Sequence, residues 1–323
     1  MRQRRDLKAR HLGDVALREL AFSIMLLILA SQAVRAQDLS PRAYTITPLH
    51  SNAMNLSYNF YSGAIDFNVA AITDATGTYH VPSFSYYHAF SFFGRSANVT
   101  AGMAYGIGNF QGTILGTQQA AYRSGLTDTV VRLSVNLKGG PAMELPQFVK
   151  WKQKVLLGVS LRVSAPTGQY SANKLINWGS NRWGFKPEFG YSQRFRDKWV
   201  LDGYAGVWFS TSNPALIAYP NPPEPQTLSP IGSFEGHISR DIKPRLWLSL
   251  DSNFWYGGTA TEGGVTNPKT KQINSRLGAT CSFPITKHTS VKASYSGGTY
   301  VSYGGNFQTV SVGWQYSWLG RPR

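Results

Sequence analysis

The sequence predicts an all-β chain: a transmembrane antiparallel up-and-down β-barrel of about twelve strands behind a cleaved N-terminal signal peptide. Three observations predict it. Long segments alternate with a period of two, as in Val310, Val312, Trp314, Tyr316 and Trp318 against Ser311, Gly313, Gln315 and Ser317. Successive side chains of a strand point to opposite faces, so this strand has one apolar, aromatic face and one small, polar face. The composition agrees: 15% of the 323 residues are charged, 13% are aromatic and 32 are glycine. A mean hydropathy of -0.23 excludes a helical membrane bundle. Finally, short connections alternate with long ones, which gives a barrel one rim of turns and one rim of loops.

The N-terminus reads as a secretory signal. Arg2, Arg4, Arg5, Lys8, Arg10 and Arg18 precede a short apolar stretch, Leu20 to Ala30, and Val34 and Ala36 stand where a signal peptidase reads. The stretch is shorter than the roughly 20 residues of a spanning helix. Cleavage is expected between Ala36 and Gln37, leaving residues 37–323 as the barrel domain. The leader carries part of the net charge of +16. Export of a barrel implies the Gram-negative outer membrane, reached through the periplasm, with lipid, lipopolysaccharide and the barrel-assembly machinery as partners. Cys281, the single cysteine, forms no internal disulfide and reads as a small apolar filler.

Twelve strands follow, near 53–62, 79–90, 95–108, 124–137, 153–166, 183–195, 199–211, 227–240, 244–257, 270–283, 287–299 and 306–318. In the fifth, Val155, Leu157, Val159, Leu161 and Val163 alternate with Gly158, Ser160, Arg162 and Ser164. In the ninth, Leu246, Leu248, Leu250 and Phe254 alternate with Ser249, Asp251 and Asn253. Many exceed ten residues, whereas strands of soluble proteins usually have about 5–6. Tight connections are expected at Ser91–Gly94, Arg196–Lys198, Asp241–Lys243 and Pro284–Thr286. Long loops are expected at 63–78, 109–123, 167–182, 212–226, 258–269 and 298–305. Residues Gly139–Lys152 break the pattern and read as a small plug or an interfacial segment packing Phe148 and Trp151. Trp199, Trp247, Trp314, Tyr316 and Trp318 gather toward the turn rim; Trp178, Trp183, Trp208, Trp255 and Tyr256 gather toward the loop rim. Amphipathic rings prefer the headgroup level, so these form two expected girdles. A soluble β-sandwich explains neither the strand lengths nor the two rims.

The stretch Ala165 to Tyr191 carries a more specific pattern: Pro166-Thr167-Gly168 then Tyr170, Asn177 and Gly179, Asn181-Arg182-Trp183, and Pro187 before an aromatic–Gly–Tyr run. It resembles the outer-membrane family named for the MetA pathway of phenol degradation. The resemblance implies a transporter-like barrel that passively admits small aromatic or otherwise hydrophobic compounds, with no cofactor. The alternative is a barrel with a structural or surface-interaction role and no transport.

Charged residues on the inward faces define a candidate solute path: Arg132, Arg162, Lys186, Glu188, Asp202, Glu235, His237, Asp251, Arg276 and Lys292. Neighbouring strands lie about 4.8 Å apart, so these groups read either as a pore with cationic and anionic walls or as ion pairs filling a narrow lumen. The 167–182 loop supplies Tyr170, Asn177, Trp178, Asn181, Arg182 and, at its end, Trp183 as candidate contacts for an aromatic solute; the bland reading is a rigid loop. Loop 212–226 is Pro-rich with an apolar centre, Ala215 to Tyr219, and reads as a stiff surface loop rather than a lid.

Signals for catalysis are weak. His237 shares a face with Glu235 and Ser239, an arrangement that a barrel-wall hydrolase would use and that chance also produces. Gly106-Ile107-Gly108 lacks dinucleotide-binding spacing and reads as a turn signal. No His, Cys and Asp cluster has metal-ligand spacing, so no metal is expected, and the spread-out basic charge argues against nucleic acid.

Overall fold

The computed structural model describes residues 40–66, 72–174, 176–216 and 225–321; the expected signal peptide and its cleavage site lie outside them. The strands are β1 (Ser51–Asp66), β2 (Ile72–Phe92), β3 (Arg95–Ile114), β4 (Thr117–Leu126), β5 (Thr129–Lys138), β6 (Val155–Ala165), β7 (Gly184–Phe195), β8 (Trp199–Ser210), β9 (Gln226–Leu228), β10 (Ile231–Lys243), β11 (Leu246–Gly257), β12 (Ala260–Glu262), β13 (Val265–Asn267), β14 (Gln272–Pro284), β15 (Thr289–Val301) and β16 (Gly304–Leu319). Each wall strand runs antiparallel to its chain neighbour, and β16 returns to β1 from Ser51↔Leu319 to Asp66↔Gly304. β4 and β5 are one stave interrupted at Thr127–Asp128: β3 pairs with β4 through Tyr105–Ile114 and with β5 through Ala97–Gly102. Counted so, the described residues form a closed wall of twelve staves, each covering one expected strand. β9, β12 and β13 form a small separate sheet in the loops.

The wall is apolar outside and polar inside. Leu250 is 66% exposed, and Leu56, Phe84, Leu133, Leu161, Phe234, Leu277 and Val312 are exposed with it. Their strand neighbours Ser134, Ser160, Ser192, Ser233, Asn253 and Asn274 are buried. A water-soluble core inverts this, because burying apolar surface drives folding in water. A barrel in lipid needs it, and closure leaves no strand edge unpaired in hydrocarbon.

The rims correct the expected loop pattern. Residues 109–123 and 298–305 are not long loops. β3 and β4 continue to a two-residue turn, Leu115–Gly116, with φ of 49° and 77°, and β15 passes to β16 through Ser302–Tyr303. Strand also occupies much of 63–78. β2 and β3 therefore reach 21 and 20 residues, well beyond the roughly 9–11 that cross a bilayer, and their excess stands above the loop rim. At the other rim, Phe93–Gly94 closes a hairpin with φ of 49° and 76°, the left-handed pair that matches strand twist. Gly106 and Gly108 lie within β3, not in a turn. The girdles are partly corrected too. Trp183, Tyr256, Trp314 and Tyr316 face outward, but Trp208 and Trp255 are buried inside, the Trp255 indole donating to Gln272 Oε1 at 2.8 Å.

The segment before β1 is the largest departure from the sequence reading. Residues 40–50 turn back into the lumen, where Tyr44 and Ile46 are buried. Beneath them, Gly139–Lys152 forms a short helical turn, α1 (Leu145–Phe148), with Phe148 stacked on Trp151 at 6.0 Å. These rings pack against Ile46, Met143 and Leu156. The connection thus packs Phe148 and Trp151 against the segment before β1, and it is that segment, residues 40–50, which enters the lumen.

Candidate functional site

The lumen divides into three levels. At the outer level, Tyr61, Tyr79, Phe110 and Phe307 project inward from β1, β2, β3 and β16, and Trp178 enters from the 167–182 loop. Tyr79 is the hub, with ring centroids 5.1 Å from Tyr61, 5.7 Å from Phe110, 6.0 Å from Trp178 and 4.8 Å from Phe307. Gly106 makes this packing possible, because a Cβ there would stand 2.1 Å from the Trp178 indole. The Trp178 Nε1 is buried without a hydrogen-bond acceptor. Arg276 borders the chamber, donating to Ser296, Thr309 and the Phe307 carbonyl.

The middle level is a belt of ion pairs. Arg132, Arg162 and Lys186 stand opposite one another on β5, β6 and β7, a row of like charges that repel. Carboxylates from the same and later strands offset it. Lys186 Nζ lies 2.6 Å from Glu188 Oε2 and 3.2 Å from Glu235 Oε1, and Arg132 lies 3.7 Å from Glu188 Oε1. His237 continues the belt, with Nδ1 2.9 Å from Asp251 Oδ1 and Nε2 3.5 Å from Glu235 Oε2. Ser249 and Thr280 donate to Asp251 at 2.5 and 2.6 Å. Burying charge is tolerated when it is paired and hydrogen-bonded.

The N-terminal segment is tied into this belt. Tyr44 Oη lies 3.0 Å from Glu188 Oε1 and from Ser160 Oγ, while the Arg132 guanidinium sits 4.8 Å from the Tyr44 ring centre. The Ala43 amide donates to Tyr204 Oη at 3.0 Å. The Arg42 amide donates to Asp202 at 3.2 Å and its Nε to Ser239 at 2.8 Å. Gly158 and Gly190 leave the space that the ring occupies; a Cβ at either would meet it at 2.5 or 2.2 Å.

The inner level is a vestibule of about 1290 Å³ open to the turn rim. Lys292 and Trp247 line it together, 5.9 Å apart, and Arg42 stacks on the same indole at 4.6 Å.

The loop residues singled out in sequence have other tasks. Tyr170 Oη donates toward the carbonyls of Ala215 and Leu216 at 2.7 and 2.8 Å and accepts from Asn213. Burial raises its pKa. Asn177 bonds the backbone of Ser171 and Lys174. Asn181, at a φ of 52°, donates to Asn213 Oδ1 at 2.7 Å. Arg182 is buried against Gln226 Oε1 at 2.5 Å, and desolvation lowers its pKa to about 10. Trp183 faces outward, stacked on Phe185 at 6.3 Å. Of the six, Trp178 alone joins the aromatic chamber. The loop is anchored by Asp128, unsuspected in the sequence, in the gap between β4 and β5. Its carboxylate accepts from the Gly168 amide at 3.0 Å and from the Ser180 amide and hydroxyl at 3.1 and 2.6 Å. Gly168 and Gly179 touch back to back, where a Cβ on Gly168 would come within 2.6 Å of Gly179. Much of the apolar centre expected in loop 212–226 falls outside the described residues.

The His237 environment holds ion pairs where a hydrolase would need a nucleophile. Carboxylates face both ring nitrogens, and Ser239 is engaged by Arg42. Among the described residues no three His, Cys, Asp or Glu side chains are grouped to hold a metal ion.

The family described as "Putative MetA-pathway of phenol degradation" matches residues 63–314. This chain belongs to that family. As a family member its matched span includes the motif loop, the whole charge belt and the aromatic chamber apart from Tyr61, while the N-terminal plug precedes it. The barrel is similar to the COG4313 outer membrane channel from Pseudomonas putida F1, with a TM-score of 0.71 at 13% identity over 87% of this chain and 100% of that one. It is also similar to the transport unit of the autotransporter AIDA-I from Escherichia coli, with a TM-score of 0.51 at 10% identity over 90% of this chain and 95% of that one. At such identities the likeness is one of fold. No curated protein matches the sequence.

Proposed function

We propose that this family member is an outer-membrane channel for passive entry of small aromatic or otherwise hydrophobic compounds. The observation that carries the reading is the aromatic chamber around Tyr79, which gathers rings from β1, β2, β3, β16 and the 167–182 loop toward the loop end of the lumen. Aromatic faces stack on one another with modest gain, so the chamber accepts rings without a specific polar match. The family's link to phenol degradation supports this substrate class. Axial passage requires the Tyr44 segment to leave the lumen. A sideways exit would use the β7–β8 ladder, whose pairs pass from Phe185–Phe209 to Glu188–Gly206 across Pro187, a residue with no amide donor.

The second reading, a barrel that transports nothing, draws support from the plugged and ion-paired middle level. Uptake into proteoliposomes separates the two. The channel reading expects phenol to enter faster than a hydrophilic solute of equal size, with the excess lost on Trp178→Ala. Equal, barrel-independent entry of both solutes refutes it and leaves the structural reading.

A further inference from the structure

The inner vestibule carries a charge imbalance that the belt above it lacks. Seven Lys and Arg side chains line it against one carboxylate, Asp241. Asp241 is already shared by Arg42 at 2.7 Å and Arg194 at 2.6 Å, and Arg245 is turned to the carbonyls of Thr286 and Lys287. Among the described residues no carboxylate lies within ion-pair distance of Lys198, Lys243 or Lys287, which reach the cavity from three separate parts of the turn rim. Lys292 also lines the cavity from β15, its Nζ 5.9 Å from the centre of the Trp247 ring. By contrast, Lys186 in the belt has two carboxylates of its own.

Ammonium groups converging on one concavity repel one another and concentrate counter-ions there. The same walls present apolar surface from Trp247, Trp318, Ile242 and Pro244. A ligand that satisfies both features has a negative end and a flat apolar body. We propose that the vestibule is a binding site for small organic anions of the aromatic carboxylate class, the carboxylate shared among the lysines and the ring lying against the wall beside Trp247. The channel reading gives the site a purpose, as the place where an anionic solute is held at the periplasmic mouth. Binding itself does not depend on that reading, so a sealed barrel and an empty vestibule are separate failures.

The test is calorimetric titration of the full-length barrel, purified from the outer membrane into zwitterionic micelles, with benzoate, phenol and benzylammonium. At low salt benzoate binds roughly tenfold more tightly than phenol, and benzylammonium does not bind. The difference collapses at about 1 M salt, where the screening length falls to about 3 Å. The triple variant Lys198→Gln, Lys243→Gln, Lys287→Gln loses the preference for benzoate while keeping the heat-shifted mobility of a folded barrel. If that variant does not fold, Lys287→Gln alone is used, an exposed position in the turn between β14 and β15, and a loss of benzoate affinity is again required. Equal affinity for benzoate and phenol overturns the proposal, as does a folded lysine variant that binds benzoate like the parent.

Discussion

Tyr44 Oη lies 3.0 Å from Glu188 Oε1, so a residue that precedes the first strand is fastened to the middle of the barrel wall. The contact couples the segment before β1 to Arg132, Lys186 and Glu188 on the wall strands β5 and β7. Its geometry is specific from both sides, because the ring fits only where Gly158 and Gly190 lack side chains.

That fit gives a prediction that can be approached from the plug or from the wall. Tyr44→Ala removes the ring, and Gly190→Ala expels it by placing a methyl 2.2 Å from its edge. Both are expected to raise single-channel conductance in planar bilayers above that of the parent, and by the same mechanism. An increase for Tyr44→Ala with none for Gly190→Ala would mean that the ring has another resting place.

A second prediction concerns the motif loop. Asp128 takes hydrogen bonds from the Gly168 amide and from both donors of Ser180. Asp128→Ala leaves these donors unmatched at a cost of about 1–3 kcal/mol. The expected result is faster hydrogen exchange at Gly168 and Ser180 and protease cleavage within 167–182, with the barrel wall unchanged. Protection equal to the parent's would show that the loop is held by its contacts with Asn213 and Gln226 instead.

All twelve staves were legible because lipid outside and charge inside write the same period-two pattern into each strand. Parity also placed the belt residues correctly; it would have turned Trp255 inward as well, since Trp255 shares a face with Asp251 and Asn253. The strand ends were hidden because residues 109–123 are rich in Gly, Gln and Thr, which resembles a loop until cross-strand pairing is known. The plug was hidden for a non-local reason. Tyr44 and Ile46 stand between two prolines like an ordinary linker, and the space for the Tyr44 ring depends on glycines of β6 and β7 more than a hundred positions away. Asp128 was missed likewise, since its partners lie at positions 168 and 180, on the loop that follows the neighbouring strand β6.

The lipid-facing reading is tested at Leu250. It is the most exposed leucine of β11, and in a soluble protein an exposed Leu→Arg change is close to neutral. In a bilayer, arginine on the lipid face near the midplane costs roughly 2–4 kcal/mol. Denaturant unfolding of Leu250→Arg in liposomes is expected to show a loss of that size. A change below about 0.5 kcal/mol would place Leu250 in water or at the headgroups.

The belt yields the last prediction. Lys186 sits between Glu188 and Glu235, and its side chain is almost wholly buried. Lys186→Met retains the bulk of the side chain but removes the cation that Glu188 and Glu235 share, leaving them only the longer contacts to Arg132 and His237. Removing one partner of a buried pair typically costs about 3–5 kcal/mol, more than replacing the whole set with neutral groups. Adding Glu188→Gln and Glu235→Gln to Lys186→Met should therefore recover much of the loss, although the triple variant contains more changes. Unfolding in lipid measures both steps. Additive destabilisation across the three substitutions would mean that the belt charges are solvated by lumen water and do not depend on one another.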